Sequence, residues 1–188
     1  MRILAIDPGY ERLGIAVLEK VPRQKEVLLY SACVQTAKEL LHAKRLLKIA
    51  DEVRKVIDKF KPDAAAIETL FFTTNQKTVM PVAEARGVVL VEAARAGLMV
   101  YEYTPLQIKI AVTGYGRSDK AQVMSMVKKL IAVPEEKSLS LEDSRTPCLA
   151  SRQAFTKRRI RLDDEYDAIA VGLTCLESEK LNNLSLNN

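Results

Sequence analysis

Two apolar segments, each ending on a carboxylate and separated by one amphipathic stretch, constrain this chain more than any other feature. Arg2-Ile3-Leu4-Ala5-Ile6 runs directly into Asp7-Pro8-Gly9, and Ala64-Ala65-Ala66-Ile67 runs directly into Glu68. Neither segment alternates cleanly, so each reads as a buried strand. Between them, Ala37 to Phe60 reads as a long helix. Its apolar face is carried by Leu40, Leu47, Ala50, Val53, Ile57 and Phe60, and Lys61-Pro62-Asp63 stops it. A helix between two such strands is a crossover, which makes the strands parallel and aligns their ends. Asp7 and Glu68 then emerge together at one rim of the sheet.

The remaining segments extend that frame. Leu13 to Leu18 and Val27 to Val34 read as strands of an antiparallel meander, joined by a polar connection containing Pro22. Val79 to Ala96 reads as a second helix, with Pro81 tolerated near its start and Gly97 as its stop. Met99 to Tyr103 follows as a fifth strand, and Pro105 to Val112 as a short helix. After the Thr113 to Arg117 loop, Ser118 is the expected cap of a helix reaching about Ile131. The last helix is expected from Asp164 to about Leu176. The order β-β-β-α-β-α-β-α-α matches an α/β, ribonuclease H-like architecture: a mixed five-stranded sheet with helices on both faces. One domain over 1–178 accommodates it, with a basic insertion at about 135–162 and a flexible tail over 179–188.

The length of 188 residues and 48% hydrophobic content suit one soluble globular domain. No apolar run approaches the ~18 residues that would span a bilayer. Cys33, Cys148 and Cys175 are scattered without C-x-x-C spacing, which argues against a disulfide framework or zinc site and for a reducing cytoplasm. The lone His42 reads as a surface residue.

A third acidic pair completes the pattern. Asp164 and Asp167 are three residues apart, so one helical face presents both. Asp163 is a rival to Asp164, and the three-residue spacing to Asp167 favours Asp164. Each acid alone has an ordinary explanation, as turn chemistry or as a helix N-terminal acid. Four together repel strongly unless cations lie among them. Two Mg²⁺ ions about 3.5–4 Å apart would satisfy them and act on a phosphodiester. The net charge of +5 suits a polyanion held around such an acidic pocket.

These residues also resemble a known family. Ile6-Asp7-Pro8-Gly9 with Gly14, Ala66-Ile67-Glu68, Ala83-Glu84-Ala85-Arg86-Gly87 and Tyr103-Thr104-Pro105 with Lys109 follow the motifs of the RuvC Holliday junction resolvases in order and spacing. So do Gly114-Tyr115-Gly116, Lys120-Ala121-Gln122-Val123 and Asp164-Glu165-Tyr166-Asp167-Ala168. The resemblance covers about 1–134 and 163–177. It implies a homodimeric endonuclease of homologous recombination and DNA repair that cuts four-way DNA junctions with Mg²⁺ or Mn²⁺, normally accompanied by a branch-migration motor.

Asp7, Glu68, Asp164 and Asp167 fall on the four catalytic, metal-binding positions of the family. Phe71 falls on the aromatic that contacts DNA near the crossover, with Phe72 as its substitute. Lys109 and Lys120 match basic positions near the scissile strand, and Arg117 is a companion candidate. The stretch around Arg86-Gly87-Val88-Val89 is the expected dimer interface. The segment from about Glu135 to Arg161 departs from the family pattern, and its role is open. Two other readings remain beside this one: a relative acting on another branched DNA or structured RNA, and an actin-like nucleotide binder sharing the Asp7-Pro8-Gly9 loop.

Overall fold

The computed structural model describes residues 1–70, 76–132 and 163–185. Strand β1 (Arg2–Asp7) forms the middle of the sheet because its side chains alternate between two cores. Leu4 and Ile6 enter the core under helices α1 (His42–Phe60) and α2 (Gln76–Arg95). Ile3 and Ala5 enter the opposite core, under α3 (Pro105–Thr113), α4 (Lys120–Leu130) and α5 (Asp163–Ser185). A strand buried on both faces has no polar alternation, which explains the unbroken apolar run.

β1 pairs antiparallel with β2 (Arg12–Glu19), which pairs antiparallel with β3 (Glu26–Gln35). On its other side β1 pairs in parallel with β4 (Ala64–Glu68), and β4 with β5 (Met99–Tyr103). A short strand β6 (Ile131–Ala132) adds in parallel to β3, giving a six-stranded order β5-β4-β1-β2-β3-β6. The sheet is thus mixed as expected, with six strands rather than five. Two residues are too few to carry a readable pattern.

The crossover is pinned at its base. The Arg2 backbone N–H donates to Asp63 Oδ2 at 2.7 Å, and the Arg2 guanidinium donates to Glu19 and to the Phe60 carbonyl. Lys61 adopts a left-handed φ of 47° and closes α1 with its N–H on the Ile57 carbonyl.

Several boundaries differ from the sequence reading. α1 starts at His42 rather than Ala37, and Leu40, Leu41 and Leu47 are exposed. Its buried face is Arg45, Ile49, Ala50, Val53, Val56 and Ile57. Asp119, not Ser118, caps α4: its side chain accepts from the Gln122 N–H while Gln122 returns a bond to the Asp119 N–H. Ser118 is buried and bonds Thr113 and the Tyr115 carbonyl instead. α5 continues to Ser185, past the expected end near Leu176. Among the described residues, no helix is long and apolar enough to cross a membrane.

Candidate active site

The ladder decides where the first two acids sit. Ile6 is in register with Ile67, so Asp7 and Glu68 are the next residues on adjacent parallel strands. Their side chains share a hydrogen bond. Both are half-buried, and they carry the strongest electrostatic perturbation in the described chain. Burial, reinforced by Glu68, Asp167 and Asp164, pushes the Asp7 carboxyl up to about 8. Burial and the Asp167 charge raise Glu68 to about 7, against its bond from Asp7 and nearby Lys109 and Lys120. Burial and mutual repulsion therefore favour protons on this pair at neutral pH, and the nearby lysines offset that only in part.

The loop after Asp7 is held rigidly. The Thr36 hydroxyl donates to the Tyr10 carbonyl at 2.6 Å, Arg45 Nε donates to that hydroxyl, and the Arg45 guanidinium stacks 3.7 Å from the Tyr10 ring centroid. His42, half-exposed, lies between the Tyr10 hydroxyl and the Glu84 carboxylate, at 2.7 and 2.8 Å.

The third and fourth acids arrive on α5. This helix reaches the sheet because two glycines give it room. A Cβ on Gly14 would stand 2.1 Å from the Asp164 carbonyl oxygen, and one on Gly172 would stand 2.4 Å from Leu18 Cδ1. Gly14 pairs with Asp7 across the β1–β2 ladder. The Asp-x₆-Gly spacing therefore brings the start of α5 against the first acid.

Asp164 turns toward the sheet and Asp163 toward solvent, their side chains 21% and 61% exposed. Asp167 projects from the same face as Asp164, and burial raises its pKa against the opposing influence of Lys120.

Each helix-borne acid is met by cations. Lys120, the first residue of α4 after its Asp119 cap, donates to Asp167 Oδ2 at 2.9 Å and lies 3.6 Å from Asp163. Arg12 Nη2 contacts Asp164 Oδ2, which also accepts from the Cys33 thiol at 3.5 Å. Burial pushes that thiol up, so it remains an S–H donor. Arg12 and Cys33 escaped the sequence reading. The only signal was Arg12 lying two residues before Gly14, hence on the same face of β2.

Glu68, Asp167, Lys109 and Lys120, with Pro105 and Ile108, line a pocket of about 240 Å³. The structure therefore brings together Asp7, Glu68, Asp164, Asp167, Lys109 and Lys120. Arg117 is exposed and does not line this pocket. Phe71 and Phe72 lie outside the described residues, as does the 135–162 segment. In the expected interface helix, Val89 is fully buried within the protein's own core, which removes it from a dimer face, and Arg86 bonds Glu102 across to β5. Gly87, Val88 and Val91 instead line an apolar groove with Leu46, Leu47 and Ala50 of α1.

The donor set suits a hard divalent cation. It is all carboxylate oxygen, and its two strand-borne members are raised by burial and by repulsion from neighbouring acids, a cost that a cation among them would relieve. Among the described residues, no three acidic, histidine or cysteine side chains are arranged to hold one ion as they stand. Asp164 and Asp167 are drawn onto Arg12 and Lys120 instead.

Comparison with known proteins places this arrangement. The family model described as crossover junction endodeoxyribonuclease RuvC matches residues 3–145. The chain is 44% identical over 134 residues to the crossover junction endodeoxyribonuclease RuvC of Ruminiclostridium cellulolyticum, covering 71% of this chain and 80% of that one. It is 36% identical over 181 residues to that of Syntrophomonas wolfei, covering 96% and 91%. Among solved structures, RuvC of T. thermophilus in complex with a Holliday junction substrate superposes with a TM-score of 0.79 at 30% identity, covering 97% of this chain and 96% of that one. With its ribonuclease H-like sheet and its acids at the strand ends, the chain belongs to the RuvC family of crossover junction endodeoxyribonucleases.

Proposed function

We propose that this protein resolves four-way DNA junctions by metal-dependent hydrolysis of one phosphodiester in each of two strands. The observation that carries the reading is the adjacent, half-buried Asp7–Glu68 pair at the end of the central strands, raised by burial and repulsion and flanked by Asp164 and Asp167. These four carboxylates would hold Mg²⁺ or Mn²⁺. When bound there, such ions supply activation of water and neutralise charge on the leaving oxygen.

The chain's own groups do the rest. The β1–β4 ladder fixes Asp7 and Glu68, so little reorganisation is needed on binding. Lys109 and Lys120 face the pocket and hold the scissile phosphate. Hydrolysis in line leaves a 5′-phosphate and a 3′-hydroxyl, which a ligase can seal. Phe71, with Phe72 as substitute, stacks on an unpaired base at the crossover, and Arg117 adds a more distant phosphate contact.

Two symmetric cuts call for two sites related by a two-fold axis, hence a homodimer. The apolar groove of Leu46, Leu47, Gly87, Val88 and Val91 supports that assembly, because Leu47 and Val91 are each about half exposed there. Cys33 and Cys175 are free thiols, which suits the cytoplasm.

Cleavage of a synthetic four-way junction is compared with cleavage of linear duplex and of structured RNA, each with Mg²⁺. Preference for the junction, lost in Asp7→Asn with junction binding retained, supports the reading. Full activity of that variant, or equal cleavage of RNA, overturns it.

A further inference from the structure

Resting on the four-acid reading above, we infer that Arg12 is a positioning residue that competes with the divalent cation for Asp164. The argument begins in the β2 register. Arg12 and Gly14 lie two apart, on the face toward α5, and Gly14 admits the Asp164 backbone to within contact of the sheet. The Arg12 side chain therefore stands where the Asp164 carboxylate arrives, and its guanidinium contacts Oδ2. Asp164 is its one ion-pair partner among the described residues, since the neighbouring Glu11 pairs with Lys38.

The arrangement has a cost for metal binding. Arg12 and the Cys33 thiol both engage Oδ2 of the Asp164 carboxylate, the group that would ligate the cation. A cation entering beside Asp7 therefore competes with the guanidinium for the Asp164 carboxylate. Nearly half of the Arg12 side chain is exposed, so it can swing into solvent without unpacking the core. Before the cation arrives, Arg12 offsets repulsion between Asp164 and Asp7, a repulsion that contributes to the raised Asp7 pKa. Lys120 stands in the same relation to Asp167, but it also lines the pocket, whereas Arg12 does not.

The test measures Mn²⁺ binding calorimetrically on the full chain without DNA, so it does not depend on cleavage. Arg12→Gln should bind Mn²⁺ about fivefold more tightly, the scale of an exposed ion pair that no longer has to be broken. Arg12→Lys should return affinity toward wild type. In an Asp164→Asn background, Arg12→Gln should change nothing. Unchanged or weaker affinity in Arg12→Gln overturns the proposal, and so does an equal gain in the Asp164→Asn background, which would mean general electrostatics. Asp7→Asn separates the two levels. If it leaves Mn²⁺ binding intact, the four-acid reading falls and takes this proposal with it. If it abolishes binding while Arg12→Gln has no effect, only the proposal for Arg12 falls.

Discussion

The strand-borne acids and the helix-borne acids reach the same spot by different physics. Asp7 and Glu68 are positioned by a parallel ladder inside the sheet, half-buried, and pushed up to about 8 and about 7. Asp164 and Asp167 depend on how α5 docks, sit nearer the rim, and rest on Arg12 and Lys120. The first pair is fixed by the ladder and raised by burial and repulsion; the second is placed by helix docking and paired with Arg12 and Lys120. On the four-acid proposal, the strand pair would serve as the fixed part of a cation site and the helix acids as the part that must leave their partners. Such a division lets the fold be stable before any cation binds.

The largest expected effect breaks the rigid half. Asp7→Asn should reduce single-turnover cleavage of a four-way junction by roughly 1,000-fold or more, since metal-assisted charge stabilisation is worth several kcal/mol. Junction binding should persist. A loss of only a few-fold would mean that the strand pair is not the anchor.

The next effect attacks the docking of the adjustable half. Gly14→Ala places a methyl 2.1 Å from the Asp164 carbonyl and 3.2 Å from Asp7 Cβ, and neither backbone can yield cheaply. Stability should fall by about 1–3 kcal/mol in denaturant melts, and Mn²⁺ affinity should fall with it. Gly172→Ala is the control. Its methyl meets mainly Leu18 Cδ1, the end of a side chain, with Ala5 Cβ 3.0 Å away, two turns of α5 beyond Asp164. It should cost less stability and leave metal affinity nearly intact. Equal loss of metal affinity in both would show that the whole helix, not its first turn, sets the site.

The same contrast governs what could be read from the sequence. The strand acids were legible because each ends an apolar run, and a crossover helix fixes their relative placement. The helix acids were legible from their three-residue spacing. Of their counter-ions, Lys120 was legible through the family resemblance, whereas Arg12 was not, because a single arginine before a glycine carries no periodic signal. Boundaries failed where chemistry was weak or ambiguous. Ser118 and Asp119 are both good caps, and only tertiary contacts of Ser118 with Thr113 and Tyr115 decide between them. α1 has Leu41 at its N-cap, so no capping side chain marked its start. α5 runs on to Ser185 because Glu177 to Ser185 contains neither Gly nor Pro to end it. Arg45 joined the core face of α1 through its stack on Tyr10, a contact hidden from hydropathy.

A smaller effect follows from the raised strand pair through pH. Asp7 and Glu68 have ordinary values of 3.8 and 4.5, and folding raises them to about 8 and about 7. The folded chain holds more protons than the unfolded one across that interval, so their contribution to stability is complete below about pH 4. It is lost as pH rises through 7 to 8. In EDTA, Asp7→Asn should therefore melt progressively higher than wild type as pH rises from 5 to 8. Excess Mg²⁺ should reverse the order at pH 8, because the deprotonated pair is the form that binds cations. A melting difference independent of pH in EDTA would mean that the strand pair is already neutralised.

The finest distinction lies within the first turn of α5, between neighbours of identical chemistry. Asp163 and Asp164 both favour the helix N-terminus, so a dipole role predicts equal and small effects for the two. Their surroundings differ: Asp164 faces Arg12, Cys33 and the strand acids, whereas Asp163 is mostly exposed, with Lys120 3.6 Å away. Asp163→Asn should accordingly change cleavage by less than about twofold, the scale of an exposed ion pair. Asp164→Asn should lower it by about 100-fold, as loss of a charged oxygen at the reacting centre does. The comparison is made at several Mg²⁺ concentrations. If Asp164 is a cation ligand, excess Mg²⁺ should partly restore its variant and leave the Asp163 variant unmoved. Equal effects of the two substitutions would return both acids to the helix dipole, leaving Asp167 as the one functional acid of α5.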